Sequence, residues 1–173
     1  MLVILLGASG AGKTTVEKIL EKSGIHRLRS HTTRARKPFE AEDAYYFVQL
    51  AEFKKADIVE SVIYNKNFYG LSRAEIKLAE IKDCVAALDW NGAQQIKNLF
   101  PFAVTIYLDC PTYQLEKRLP LEPDSQKRII NAEQLEKDSK CEYDCDYIVP
   151  NHDAQLIETI TRILEIFREH KNS

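Results

Sequence analysis

Gly7, Ala8, Ser9, Gly10, Ala11, Gly12, Lys13 and Thr14 satisfy the pattern G-x-x-x-x-G-K-[ST] at every fixed position. The residue types state the chemistry. Glycines let a backbone wrap closely around phosphate oxygens in conformations closed to other residues. The N–H groups of such a loop, with the N-terminus of the helix behind it, make a seat for an anion. Lys13 is placed to reach the β- and γ-phosphates, and the Thr14 hydroxyl to ligate magnesium. Thr15 extends this nucleotide-binding set, and the expected cofactors are ATP and Mg2+. A glycine-rich turn with a chance lysine is the bland alternative. The apolar run before the loop and the helical pattern after it argue against that. The motif alone does not separate kinases from ATPases or GTPases.

A second constellation begins at Ser30-His31-Thr32-Thr33-Arg34-Ala35-Arg36-Lys37-Pro38-Phe39-Glu40 and continues through Tyr45-Tyr46-Phe47-Val48. Glu60, Asn67-Phe68-Tyr69-Gly70 and Asp89-Trp90-Asn91-Gly92-Ala93-Gln94-Gln95 follow in order. With the phosphate loop near the N-terminus, this order and spacing resembles the guanylate kinase family over nearly the whole chain. The likeness is specific up to Gln95 and weaker beyond it. It implies ATP- and magnesium-dependent phosphoryl transfer to a nucleoside monophosphate, with GMP or dGMP the expected acceptor and GDP the product from GMP.

The residues fit that chemistry. A monophosphate dianion needs cations and hydroxyl donors. Arg34 can give two parallel hydrogen bonds to phosphate oxygens, and Lys37, Tyr45 and Tyr69 could add donors. The Glu60 carboxylate can accept both N1–H and the exocyclic N–H of guanine, whereas adenine presents a bare acceptor there. The resemblance gives Ser30 the guanine O6. Asp89 follows an apolar run as the acid of a Walker-B strand does, and acts on magnesium through water or on the guanine amine; a helix N-cap is its structural alternative. Taken singly, Arg34 and Lys37 could be solvated loop charges, Tyr45 and Tyr69 half-buried aromatics, and Glu60 a surface carboxylate. Their joint spacing carries the reading.

The chain also departs from the family. Lys37 stands in place of an arginine and loses its fork, with Arg36 one position away. Phe39 replaces a glycine, and with Tyr45 as the matching tyrosine the spacing from Glu40 is one residue shorter than the family's, with Tyr46 as fallback. Leu71 replaces a hydroxyl residue that reads guanine, and Ala87 an aspartate. The lid, residues 119–127, lacks the family's glycine and arginine. Arg128, with Arg118, is the candidate to neutralise the transferring phosphoryl group, and Asn151 matches a position near the adenine of ATP. Two other functions stay open: a related P-loop kinase with another small phosphorylated acceptor, such as another nucleotide or ribose 1,5-bisphosphate, and a non-catalytic binding module. The intact Gly12-Lys13-Thr14 speaks against the module.

These residues need a frame. Short apolar runs alternate with helical stretches, which predicts an α/β fold with a mostly parallel sheet, the three-layer P-loop arrangement. Strands are expected at residues 2–6, 85–88, 103–108 and 146–149, and helices at residues 12–22 and from Ser72, where Glu75 completes a capping box. Leu156, Ile157, Ile160, Ile163, Leu164 and Phe167 share one face of a C-terminal helix. One domain is expected over residues 1–173: a core of 1–30, 72–118 and 128–173, a monophosphate-binding region at 31–71 and the lid. Hydrophobic residues make up 45% of the chain, enough for a real core. The formal net charge of −2 argues against a nucleic-acid polymer as partner. The first residues do not resemble a signal peptide and no apolar run would span a bilayer, so a cytoplasmic monomer or homodimer is expected. Cys84, Cys110, Cys141 and Cys145 read as free thiols.

Overall fold

The structure is a computed structural model that describes residues 1–38, 40–118 and 144–171. The lid, Arg128, Phe39 and Cys141 lie outside the described residues. β1 (Leu2–Leu6) is buried along its whole length, as a strand covered on both faces must be. It pairs in parallel with β7 (Cys84–Ala87) on one side and β8 (Val104–Asp109) on the other. The short β2 (His26–Arg27) and β9 (Tyr147–Pro150) extend the sheet to five parallel strands, in the order β2-β7-β1-β8-β9. The expected mostly parallel α/β architecture is therefore present.

Alternation along β1 assigns its two faces. Val3 and Leu5 pack with Val16 and Leu20 of α1 (Lys13–Lys22) and with Ile160, Ile163, Ile166 and Phe167 of α6 (Leu156–Lys171). Leu2, Ile4 and Leu6 pack with Ile76 of α3 (Arg73–Lys77) and with Ala93 and Ile96 of α4 (Trp90–Leu99). The buried face of α6 differs from the expected one at two positions. Ile157 is 79% exposed, and Ile166 is fully buried. Ile157 sits in the first turn, one residue round from the stripe that Ile160, Ile163, Ile166 and Phe167 press onto the sheet.

Residues 31–72 break the alternation because they build a second sheet. Its order is β4 (Tyr46–Phe47), β3 (His31–Thr32), β6 (Asn67–Ser72) and β5 (Ile58–Tyr64). The capping box at Ser72 forms by half. Ser72 Oγ accepts from the Glu75 N–H at 3.4 Å, but the buried Glu75 carboxylate accepts instead from the Arg29 N–H at 2.9 Å and the Tyr46 hydroxyl at 2.8 Å. Those bonds tie the second sheet to the core. The described cysteines are free, with Cys84 and Cys110 buried, and burial pushes the Cys84 thiol up to about 11. Among the described residues no helix is long and apolar enough to cross a membrane.

The edge at β9 hangs on one carboxylate. Asp146 Oδ2 accepts from Lys97 Nζ, the Thr105 N–H and the Thr105 hydroxyl, each at 2.7 Å. Burial alone would raise its pKa; these three donors outweigh it and hold the carboxyl below its usual range. Thr105 is fully buried, and Thr105→Val removes one of the three donors to Asp146 together with the acceptor of the Asp146 N–H. Denaturant unfolding at neutral pH should show a loss of about 1–3 kcal/mol.

Candidate functional site

The phosphate loop leaves the C-terminal end of β1, and Asp89 follows the C-terminal end of the neighbouring β7, where open α/β sheets bind ligands. Gly12 has φ +94°, and a Cβ there would lie 2.5 Å from Asn151 Nδ2, so conformation and space both demand glycine. Lys13 Nζ donates to the Gly7 and Ala8 carbonyls at 2.5 and 3.0 Å. Thr14 and Thr15 open α1 and are exposed.

Asn151 supports the loop from behind. Its side chain is buried, with Nδ2 donating to the Ala11 carbonyl at 2.6 Å and Oδ1 accepting from the Thr159 hydroxyl at 3.2 Å. These bonds tie Asn151, the residue expected near the adenine of ATP, to the loop and to Thr159. Arg118 pairs with Asp153 at 2.7 Å and donates to the Asn151 carbonyl at 3.0 Å, which fastens the same corner.

The second sheet brings Arg34, Tyr45 and Tyr69 together. The Arg34 guanidinium lies 5.6 Å from the Tyr45 ring centroid, and the Tyr45 and Tyr69 rings meet edge to face at 5.9 Å. Arg34 Nε donates to Tyr69 Oη at 3.2 Å. Arg34 also forks onto Glu40, with bonds of 2.9 and 2.7 Å. That pairing raises the guanidinium pKa and holds the Glu40 carboxyl below its ordinary range. The Tyr46 hydroxyl is committed to Glu75, which leaves Tyr45 as the tyrosine facing Arg34. Lys37 enters through its backbone N–H, which donates to Glu40 at 3.1 Å, while its side chain is exposed. Ser30, half-buried, accepts from the Tyr46 N–H through its carbonyl.

Glu60 is 3% exposed. A bulge between Ile58 and Glu60 shifts the β5–β6 register, a usual device for re-aiming one side chain. The carboxylate accepts from the Leu71 N–H at 3.3 Å and lies against the first turn of α4. A Cβ on Gly92 would come 2.7 Å from Glu60 Oε1 and 3.3 Å from Asp89 Oδ1, so glycine makes room for both acids. Asp89 caps α4, accepting from the Gly92 N–H at 2.7 Å, and remains exposed. Burial, then the Asp89 charge, raises Glu60 to about 7 against the Leu71 bond. The Leu71 side chain is 1% exposed and packs into the core beside Ile76.

Three further residues belong to this picture. Glu40 and Gly92 stand in recognisable segments but carry roles that spacing alone does not reveal. Glu17 of α1 is 7% exposed, and its Oε1 accepts from the Ala87 N–H at 2.7 Å. A charge inside the buried stripe of Val16 and Leu20 was its sequence signal.

Known proteins match this arrangement. The family model described as guanylate kinase covers residues 1–170. Guanylate kinase of Chlamydia trachomatis serovar D is 34% identical over 186 residues, spanning 99% of this chain and 90% of its own length. That of Hydrogenovibrio crunogenus is 36% identical, over 87% of this chain and 80% of its own. The crystal structure of guanylate kinase from Anaplasma phagocytophilum gives a TM-score of 0.73 at 26% identity, covering 98% of this chain and 85% of that one. A shikimate kinase from Bacteroides thetaiotaomicron shares the fold, with a TM-score of 0.57 at 18% identity over 97% of this chain and 98% of its own. The chain belongs to the guanylate kinase family.

Proposed function

We propose that this chain transfers the γ-phosphoryl group of magnesium-ATP to GMP, giving GDP and ADP. The observation that carries the reading is Glu60: a buried carboxylate, re-aimed by a bulge and given space by Gly92, in the sheet that holds Tyr69 and whose strands β3 and β4 are flanked by Arg34 and Tyr45. A sugar phosphate has hydroxyl donors but no flat edge with two adjacent N–H groups. Guanine offers two N–H donors on one edge, and Asp89 beside Glu60 favours the base end over the metal.

Phosphoryl transfer asks the protein for position and charge, with no covalent intermediate. The loop N–H groups and Lys13 hold the phosphates of ATP. Lys13 trades the Gly7 and Ala8 carbonyls for phosphate oxygens as nucleotide enters. Arg34 and the Tyr45 and Tyr69 hydroxyls hold the acceptor phosphate, and Glu60 sets the base. Among the described residues no cluster of three or more His, Cys, Asp or Glu side chains could hold a metal alone. That suits magnesium, which binds through one or two protein oxygens, waters and substrate phosphates; the Thr14 hydroxyl fits as a protein ligand. The ion supplies charge neutralisation when bound.

Two measurements test the reading. In an ADP-release assay with ATP, GMP and dGMP should exceed AMP, CMP, UMP and ribose 1,5-bisphosphate by roughly a hundredfold or more in kcat/KM. An AMP rate equal to the GMP rate would refute the base assignment.

The second is pH dependence. Only the ionised Glu60 accepts both guanine donors, and its carboxyl titrates at about 7 in the free protein. As pH falls through 7 the protonated fraction grows, so kcat/KM for GMP should drop, approaching tenfold per unit below the pKa. Glu60→Gln should lower kcat/KM for GMP at pH 8 and remove the part of the profile centred near 7. An unchanged profile in that variant would show that another group titrates.

A further inference from the structure

In P-loop enzymes the acid that works with magnesium stands at the end of a strand beside the loop. Here that strand is β7, whose last residue is Ala87, and the next acid, Asp89, turns to cap α4 beside Glu60. A carboxylate nevertheless reaches this strand end, carried by α1. The edge strand β2 pairs only with Cys84 and Val85, so it stops short of the Ala87 N–H. Glu17 reaches into that gap with Oε1, at 2.7 Å. Among the described residues Glu17 Oε2 has no hydrogen-bond donor.

Three features set the direction of that second oxygen's work. Glu17 lies three residues after Thr14 and four after Lys13, so it shares their face of α1 one turn down. The Lys13 charge acts on it from the loop side, and Glu17 acts in turn on the Tyr45 hydroxyl from the acceptor side. Arg27, the other cation near it, is buried and spends its fork elsewhere, donating to the Asp43 and Ala44 carbonyls at 2.8 and 3.3 Å, with Glu21 at 3.5 Å from Nε. A carboxylate here acts on a residue of each proposed phosphate site. It repels both substrates unless a cation stands between them.

A bare structural role does not account for the charge. A glutamine would satisfy the Ala87 N–H equally well without burying an anion. Burial raises the Glu17 carboxyl to about 7 despite help from the Ala87 N–H, Arg27 and Lys13. A hydrated divalent ion next to it reverses that penalty.

We propose that Glu17 is a positioning residue for the magnesium ion of the nucleotide, its second carboxylate oxygen accepting a hydrogen bond from water in the ion's shell. The proposal rests on the magnesium-ATP reading above. It makes the pair Glu17 and Ala87 an exchange of sites, with the acid moved from strand to helix.

The test reads magnesium through nucleotide binding. Magnesium is titrated against a fluorescent ADP analogue bound to the full chain. Glu17→Gln should raise the half-saturating magnesium concentration about tenfold or more. Affinity for the analogue in EDTA, and for GMP by calorimetry, should hold or rise, because the variant removes a charge that repels both. Adding Ala87→Asp to Glu17→Gln should restore most of the magnesium response. An unchanged magnesium requirement in Glu17→Gln overturns the proposal. So does an equal loss of nucleotide affinity with and without the ion, which would mark a structural role. If Glu17→Gln does not fold, Glu17→Asp replaces it: the shortened carboxylate should raise the magnesium requirement severalfold, and no change overturns the proposal. Failure of the wild-type chain to phosphorylate GMP would sink the proposed reaction while leaving this titration readable.

Discussion

Like charges a few ångströms apart repel strongly where water is excluded, and a phosphoryl donor and a phosphorylated acceptor must meet in such a place. The architecture around the P-loop answers this repulsion. In the proposed reaction, loop N–H groups, the N-terminus of α1 and Lys13 serve the donor side. In the same proposal Arg34 and the Tyr45 and Tyr69 hydroxyls serve the acceptor side, in and beside a separate sheet joined to the core through Glu75. Building the two halves on different sheets lets each be rigid alone. The loop is braced by Asn151, which is braced by Thr159 and Arg118.

The same region carries buried acids, and these cost stability. Glu60 and Glu17 are both raised to about 7, in each case first by burial. A carboxyl whose pKa is higher folded than unfolded favours folding below its unfolded pKa, and that contribution is lost as pH rises through the folded value. For both groups the window runs from about 4.5 to about 7, so each carries a penalty at pH 8 where it is ionised. Strain held at a functional site and offset by the rest of the fold is a common trade. Here the offset lies in a sheet whose central strand is wholly buried.

Much of the frame was legible in the sequence because it obeys local rules. The strand before Gly7 is a continuous apolar run, and the loop motif sets both its end and the start of α1. Strands β7, β8 and β9 fall within one residue of their expected bounds. What was illegible depends on contacts between distant residues. The two residues of β2 have no periodicity and exist because they pair with Cys84 and Val85. Glu75 resembles half of a capping box, yet longer-range partners win its carboxylate. Tyr45 and Tyr46 are both candidates in sequence, and the register of β4 on β3 sends one to Arg34 and the other to Glu75. Leu71 was legible as a lost hydroxyl but not as a core residue whose N–H steadies Glu60.

The loss of an arginine at Lys37 looks costly until the donors of Arg34 are counted. A guanidinium has five N–H groups. Glu40 takes one from each terminal nitrogen, the Ala35 carbonyl takes the second from Nη1 at 2.8 Å, and Tyr69 Oη takes the one on Nε. The remaining N–H, on Nη2, points along the edge that Nε shares. A phosphate oxygen entering there meets that N–H together with the Tyr69 hydroxyl, and Glu40 need not move. The ring of Tyr45 covers one face of the same guanidinium, and that of Phe47 lies 5.7 Å from it. The acceptor phosphate is thus offered one fixed edge rather than a cloud of mobile charge. Lys37, three residues along, adds its N–H to the same Glu40, a bond that any residue but proline can make, and in the proposed reaction its exposed side chain brings charge without a fork.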